Sequence, residues 1–88
     1  MNLDEIIYLD NVPSIDLHGL DRDTARVKVS EFIKDNKTMK NKIICIVHGV
    51  GSGIVKNEVH KYLKNNKDIE DYKLFYNNSG CTIVKIKC

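Results

Sequence analysis

Three cysteines are all this chain has, and Cys45, Cys81 and Cys88 show neither an even count nor a CxxC spacing. A disulfide scaffold is thereby excluded, and reduced, mostly buried thiols are expected because two of the three lie in apolar runs. No apolar stretch approaches the roughly 18 residues that a membrane span requires. Nor do residues 1–8 carry the basic region of a secretory signal, since they contain acids instead. No membrane partner is expected, and the cytoplasm is the expected compartment. Neither charge sign dominates: 14 Lys and Arg against 12 Asp and Glu leave a net charge of +2 and a pI near 8.4. That mild basicity permits a nucleic-acid partner without demanding one, because dedicated binders often exceed about pI 9. At 88 residues the chain is too short for two domains. One domain of this size buries about 60–65% of the surface its unfolded form exposes.

What the chain does have is an apolar run ending in His-Gly, twice. Ile15-Asp16-Leu17-His18-Gly19 and Ile44-Cys45-Ile46-Val47-His48-Gly49 place their histidines thirty positions apart, a spacing that suits a βαβ unit. If the two runs are parallel neighbours, both imidazoles emerge at the carboxyl ends of strands, where open α/β sheets form their ligand crevices.

The remaining elements follow from pattern and punctuation. Residues 14–17 read as a first core strand. Leu20-Asp21-Arg22-Asp23-Thr24 offers N-cap oxygens ahead of a helix whose apolar positions Ala25, Val29, Phe32 and Ile33 recur at helical spacing. That helix is expected to end near Asn36, followed by a polar loop over residues 37–41. Residues 42–47 form a continuous apolar run, as a strand buried on both faces requires. After the loop Gly49-Val50-Gly51-Ser52-Gly53, Val55, Val59, Tyr62 and Leu63 mark one face of a second helix that fades at Asn65-Asn66. Residues 72–76 and 81–87 read as two strands joined by the turn Asn77-Asn78-Ser79-Gly80, a hairpin. The order is βαβαββ, an α/β two-layer sandwich of α+β type with two helices on a mixed four-stranded sheet. Residues 13–88 make up this domain. Residues 1–12 form an N-terminal arm in which Glu5-Ile6-Ile7-Tyr8-Leu9 suits either a short edge strand or a segment packed on the domain.

Three constellations carry chemistry. Asp16 and His18 are two apart on a strand, so they project from one face, and the carboxylate can hold the imidazole in one tautomer. The same residues also suit a structural role, with Asp16 capping the next helix or bonding loop amides and His18 a satisfied strand-end residue. Gly49, Gly51 and Gly53 alternate between a strand and a helix, where glycine lets backbone amides approach an anion at the positive helix terminus. A tight connection needing positive φ explains the pattern equally well. The loop lacks the dinucleotide fingerprint and the P-loop ending. Ser52 adds a hydroxyl, and Lys56 places a cation in the first helical turn, where the dipole disfavours it. Arg22 and Arg26 open the first helix beside His18 and complete a basic rim. Lys34, Lys37, Lys40 and Lys42 are expected at the opposite end of the sheet as solvated surface. His60 is expected to be a surface or boundary residue. Asp16, His18 and His48 show no zinc spacing, whereas Mg²⁺ or Mn²⁺ held by Asp16 and substrate phosphates would leave no spacing to read.

The run Ile15-Asp16-Leu17-His18-Gly19-Leu20, the loop Val47-His48-Gly49-Val50-Gly51-Ser52-Gly53 and the stretch Gly80-Cys81-Thr82-Ile83-Val84 together resemble the small MutS-related, or Smr, domain family over residues 14–86. Each motif alone is unspecific; the three in order at these spacings are not. The resemblance implies a βαβαββ fold related to the carboxyl-terminal domain of a bacterial translation initiation factor. It also implies nucleic-acid endonuclease activity, nicking DNA or cutting RNA, with Asp16 and His18 matching the catalytic motif and His48, Gly49, Gly51 and Gly53 the binding loop. Two departures stand out. Val50 occupies a position where many relatives carry Lys or Arg. Lys56 follows Ile54-Val55 where a leucine-arginine pair is common, keeping charge without the bidentate fork of Arg.

The expectation is therefore phosphodiester cleavage with Asp16, His18 and His48 as catalytic residues, His48 being the second proton-transfer or charge-stabilising group. Gly49, Gly51, Ser52, Gly53, Lys56, Arg22 and Arg26 would bind phosphate. Without a metal, RNA is the expected substrate because its 2′-hydroxyl is an internal nucleophile; with Mg²⁺ or Mn²⁺, DNA is its equal. The alternative is a non-catalytic module that binds backbone or structured junctions. A monomer is expected, either a free-standing Smr protein or an excised domain, directed to its substrate by a larger machine.

Overall fold

A computed structural model describes residues 12–75 and 78–87. Its elements are β1 (Ser14–Asp16), α1 (Arg22–Thr38), β2 (Ile43–Val47), α2 (Ile54–Lys64), β3 (Ile69–Phe75) and β4 (Asn78–Ile86). They form one four-stranded sheet in the order β1-β2-β4-β3. β1 and β2 run parallel, whereas β4 is antiparallel to both β2 and β3. The sheet is mixed, as the βαβαββ order requires. The proposed arm strand over residues 5–9 and the thiol of Cys88 lie outside the described residues.

Alternation along β2 divides the core. Ile44 and Ile46 face the helices and pack with Ala25, Val29 and Ile33 of α1, Val59 and Leu63 of α2, and Val84 and Ile86 of β4. These are the positions that helical spacing marks as apolar, so burial of one stripe per helix accounts for both helices lying on one sheet face. Cys45 faces the other way and joins Phe75, Cys81 and Ile83 in a second cluster with Val12, Ile43 and Val47. Cys45 and Cys81 are free and buried. Burial and the adjacent Cys81 push the Cys45 thiol up to about 12, so Cys45 is an inert packing group.

Helix α1 runs two residues past its expected end. Asn36 does not break it because its side chain turns inward: Nδ2 donates to the Phe32 carbonyl at 2.8 Å and Oδ1 accepts from Asn41 at 2.9 Å. Strand β3 begins three residues earlier than expected. Ile69 is buried, while Glu70 pairs with Lys85 across the strand at 2.7 Å, so the acids that hide this strand in the sequence are edge residues. The expected turn shortens accordingly, since Asn78 already pairs with Phe75 through an irregular register.

Candidate functional site

The parallel pair brings the two His-Gly corners together. Asp16 is in register with Val47, so His18 lies two residues beyond the end of β1 and His48 one residue beyond the end of β2. At the first corner the Asp16 carboxylate accepts twice through Oδ1, from the backbone N–H of His18 at 3.0 Å and from its Nδ1 at 2.6 Å. Because a carboxylate only accepts, Nδ1 carries the proton and Nε2 of the neutral ring is left with a lone pair. The Nδ1 hydrogen bond, helped by the backbone one, holds the Asp16 carboxyl below its ordinary value. Both side chains are open, His18 at 69% and Asp16 at 58% exposure. The two readings of this pair thus coincide in part: Asp16 does bond a loop amide, and the same oxygen orients a ring whose Nε2 is free.

The second corner is tied to β4. The N–H groups of His48 and Gly49 both donate to the Gly80 carbonyl, at 2.8 and 3.0 Å. Gly49 has φ +83°, and a Cβ there would lie 3.3 Å from Cβ of His18, so glycine allows the two corners to touch. Gly53, also at φ +83°, is the N-cap of α2, which has no side-chain cap and no acid in its first turn. Within the described residues the N–H groups of Val50, Gly51 and Ser52 make no hydrogen bond. These amides, the start of α2, Lys56, His18 and Arg22 wall a cleft of about 800 Å³. The cleft combines uncommitted donors, a helix N-terminus and cations, which is the chemistry of an anion site.

Arg26 is not part of it. Its guanidinium lies in the groove between α1 and α2, 3.5 Å from both Glu58 and Asp23, so the basic rim expected at the cleft reduces to Arg22 and Lys56. Lys37, as expected, is far-end surface, paired with Asp68 at 2.7 Å.

His48 is 4% exposed and both its ring nitrogens are engaged. Nδ1 faces the Gly49 carbonyl at 2.9 Å, and Nε2 faces the Thr82 hydroxyl at 2.8 Å. The same hydroxyl lies 2.8 Å from Nε2 of His60. Of the two places expected for His60, surface or boundary, it takes the boundary one: its ring is half-buried, edge-on to Tyr72 with centroids 5.2 Å apart. Burial is the main force pushing both imidazoles below their ordinary pKa. Lys56 adds to this on both, and His48 adds to it on His60. The readable sign of this network was Thr82, a hydroxyl inside the apolar run of β4, which burial obliges to find polar partners.

Among the described residues no three His, Cys, Asp or Glu side chains converge to hold a metal ion. Asp21 is the carboxylate that lines the cleft, and Asp16, which reaches it only through His18, already shares its Oδ1 between two donors. The donor set does not form a resident Mg²⁺ or Mn²⁺ site. Among the described residues, too, no helix is long and apolar enough to cross a membrane.

Residues 15–87 match the family model of the Smr domain. The chain is 39% identical over 77 residues to endonuclease MutS2 of Streptococcus suis, an alignment covering 83% of this chain and 10% of that protein. It is 31% identical over 85 residues to endonuclease MutS2 of Clostridium beijerinckii, covering 92% and 11% respectively. The chain thus spans about a tenth of the length of the curated relatives it matches. The crystal structure of the Smr domain of Thermus thermophilus MutS2 superposes with a TM-score of 0.85 at 21% identity, covering 88% of this chain and 100% of that one. YdaL, a stand-alone small MutS-related protein from Escherichia coli, gives 0.81 at 23%, covering 85% and 64%. Those two likenesses show the fold. With both His-Gly corners and the β4 threonine inside the matched residues, the chain belongs to the Smr domain family.

Proposed function

We propose that this domain binds nucleic acid in the glycine-walled cleft and cleaves a phosphodiester bond there, with RNA as the preferred substrate. The observation that carries the proposal is His18: Nδ1 is locked on Asp16 while Nε2 stands open at a cleft walled by uncommitted amides. On RNA, Nε2 takes the proton of the 2′-hydroxyl, O2′ attacks phosphorus, and the bond from phosphorus to O5′ breaks. The departing O5′ takes a proton from solvent, leaving a 2′,3′-cyclic phosphate and a 5′-hydroxyl. Asp16 stabilises the imidazolium that forms, and general-base catalysis of this kind contributes about 10²–10⁴-fold. Gly49, Gly51, Ser52, Gly53, Lys56 and Arg22 form the phosphate cradle, whose amides and cations meet the charge growing on the non-bridging oxygens. An internal nucleophile suits a site in which the Asp16 carboxylate is already committed to a histidine.

We give His48 a different role from the proton transfer or charge stabilisation expected of it. Both of its nitrogens are spent within the protein, so we assign it to holding the glycine loop. A single imidazole with an open nitrogen is half of a two-group acid-base set. That observation favours a second reading, a module that binds backbone without cutting it. In either case Arg22 and Lys56 are the cations at the cleft, and neutralising about two phosphates gives a salt slope of about −1.5 in log K against log salt. So shallow a slope means weak intrinsic affinity, with targeting left to a larger assembly.

The test is cleavage of labelled single-stranded RNA and branched DNA by the protein and by His18→Ala, in Mg²⁺, in Mn²⁺ and in EDTA. RNA cutting that survives EDTA and disappears in the variant supports the base mechanism. Cutting of DNA that needs metal replaces it with metal-assisted hydrolysis. Salt-dependent binding without cutting by either protein establishes the module.

A further inference from the structure

The hydrogen bonds around Thr82 can be written in one way only, and they run from helix α2 to the glycine loop. The Gly49 carbonyl can only accept, so Nδ1 of His48 donates to it. Nε2 of the neutral His48 ring must then accept, so the Thr82 hydroxyl donates its one proton there. The lone pairs of Thr82 are left to accept, and Nε2–H of His60 donates to them. Burial lowers the pKa of both rings and so favours the neutral forms that this sequence of donors requires. Tyr72, edge-on to His60, fixes that ring in turn.

The far end of this chain is a peptide group of the cleft wall. No described peptide bond is cis, so the carbonyl and N–H of the Gly49–Val50 peptide point in opposite directions. With the carbonyl bonded to His48, the Val50 N–H points away from that ring, and Val50 itself lines the cleft. Glycine at this position makes the alternative peptide orientation sterically accessible, so something else must select the one observed.

We infer that His60 is a positioning residue for phosphate binding: through Thr82 and His48 it fixes the Gly49–Val50 peptide with its N–H presented to the cleft. The inference rests on reading that cleft as a phosphate site. By occupying one lone pair of Thr82, the His60 donor aims the single hydroxyl proton at His48; without it the hydroxyl can rotate and accept from His48 instead. His48 can then adopt the other tautomer, with Nδ1 no longer a donor and the Gly49 carbonyl released.

The test uses the whole ¹⁵N-labelled chain, with inorganic phosphate as the probe. Imidazole ¹⁵N shifts report the tautomers, and the Val50 amide reports binding. His60→Phe keeps the ring volume and removes the donor; His60→Gln restores an N–H near the same place. The wild type is expected to show His48 protonated on Nδ1, His60 on Nε2, and a saturable Val50 shift with phosphate. His60→Phe is expected to mix the His48 tautomers and weaken phosphate about 10–100-fold, the weight of one hydrogen bond to a charged group, with Gln recovering most of it. If phosphate moves Val50 equally in wild type and His60→Phe, the positioning role is overturned while the phosphate site stands. If Val50 of the folded wild type ignores phosphate, the phosphate site fails and the role of His60 in it falls too. His48 protonated on Nε2 in the wild type also overturns the inference.

Discussion

Replacing Thr82 by valine is nearly isosteric, yet it strikes two histidines at once. The hydroxyl is fully buried and is the shared partner of His48 and His60. Among the described residues no buried side-chain nitrogen or oxygen now lacks a partner. Valine would leave an acceptor on one ring and a donor on the other without one. Each orphaned group costs about 1–3 kcal/mol, while the added methyl returns about 0.8 kcal/mol. The net loss is about 1–5 kcal/mol in a domain whose whole stability is about 4–13 kcal/mol. At about 4–8 °C per kcal/mol for this size, Thr82→Val should lower the Tm by about 5 °C or more in a calorimetric melt. Thr82→Ser, which keeps the hydroxyl, should fall by less. A Thr82→Val protein melting within about 2 °C of wild type would mean that the two imidazoles do not depend on this hydroxyl, and the relay argument would fail with it.

Three further outcomes are expected. Gly49→Ala must hold φ +83° and crowd His18; the backbone term alone is about 1–2 kcal/mol, so a lower Tm and displaced His18 resonances are expected, and an unchanged melt would contradict the close approach. His48 and His60 have folded pKa values below their unfolded ones, so the unfolded state binds more protons as pH falls. Stability from these groups is therefore complete above about pH 6.5 and declines below it toward their folded pKa values; Tm recorded from pH 8 to 5 should show this, with a shallower decline in His60→Gln. Asp16→Asn keeps an acceptor for Nδ1 but loses the charge that stabilises an imidazolium, so cleavage should drop about 10–100-fold with little change in Tm, and full activity would remove Asp16 from the mechanism.

Much of the fold was legible because burial writes itself as period. The stripe Ala25, Val29, Ile33 and the continuous run of β2 occupy the core positions their spacing announces. Spacing of the two His-Gly corners also announced the parallel pair, and with it the place of the cleft. Illegible features are those decided by contacts across the chain. Asn36 carries the usual mark of a helix end, but a bond back to Phe32 keeps it helical. The start of β3 hides behind Glu70 and Asp71 because an edge strand tolerates charge. Arg26 follows Arg22 by one helical turn, and only the packing of α2 against α1 shows that Glu58 claims it. His60 and Thr82 are 22 residues apart, and their meeting needs β4 placed beside β2 beneath α2.

The most direct test of the account is RNA cleavage on a strand bearing a single 2′-deoxy nucleotide at the site otherwise cut, in EDTA, followed by analysis of the product ends. The account predicts no cutting at the deoxy position and 2′,3′-cyclic phosphate ends at the matched ribonucleotide, lost in His18→Ala. Equal cutting of both strands would show that the nucleophile is not the 2′-hydroxyl and would contradict His18 as its base.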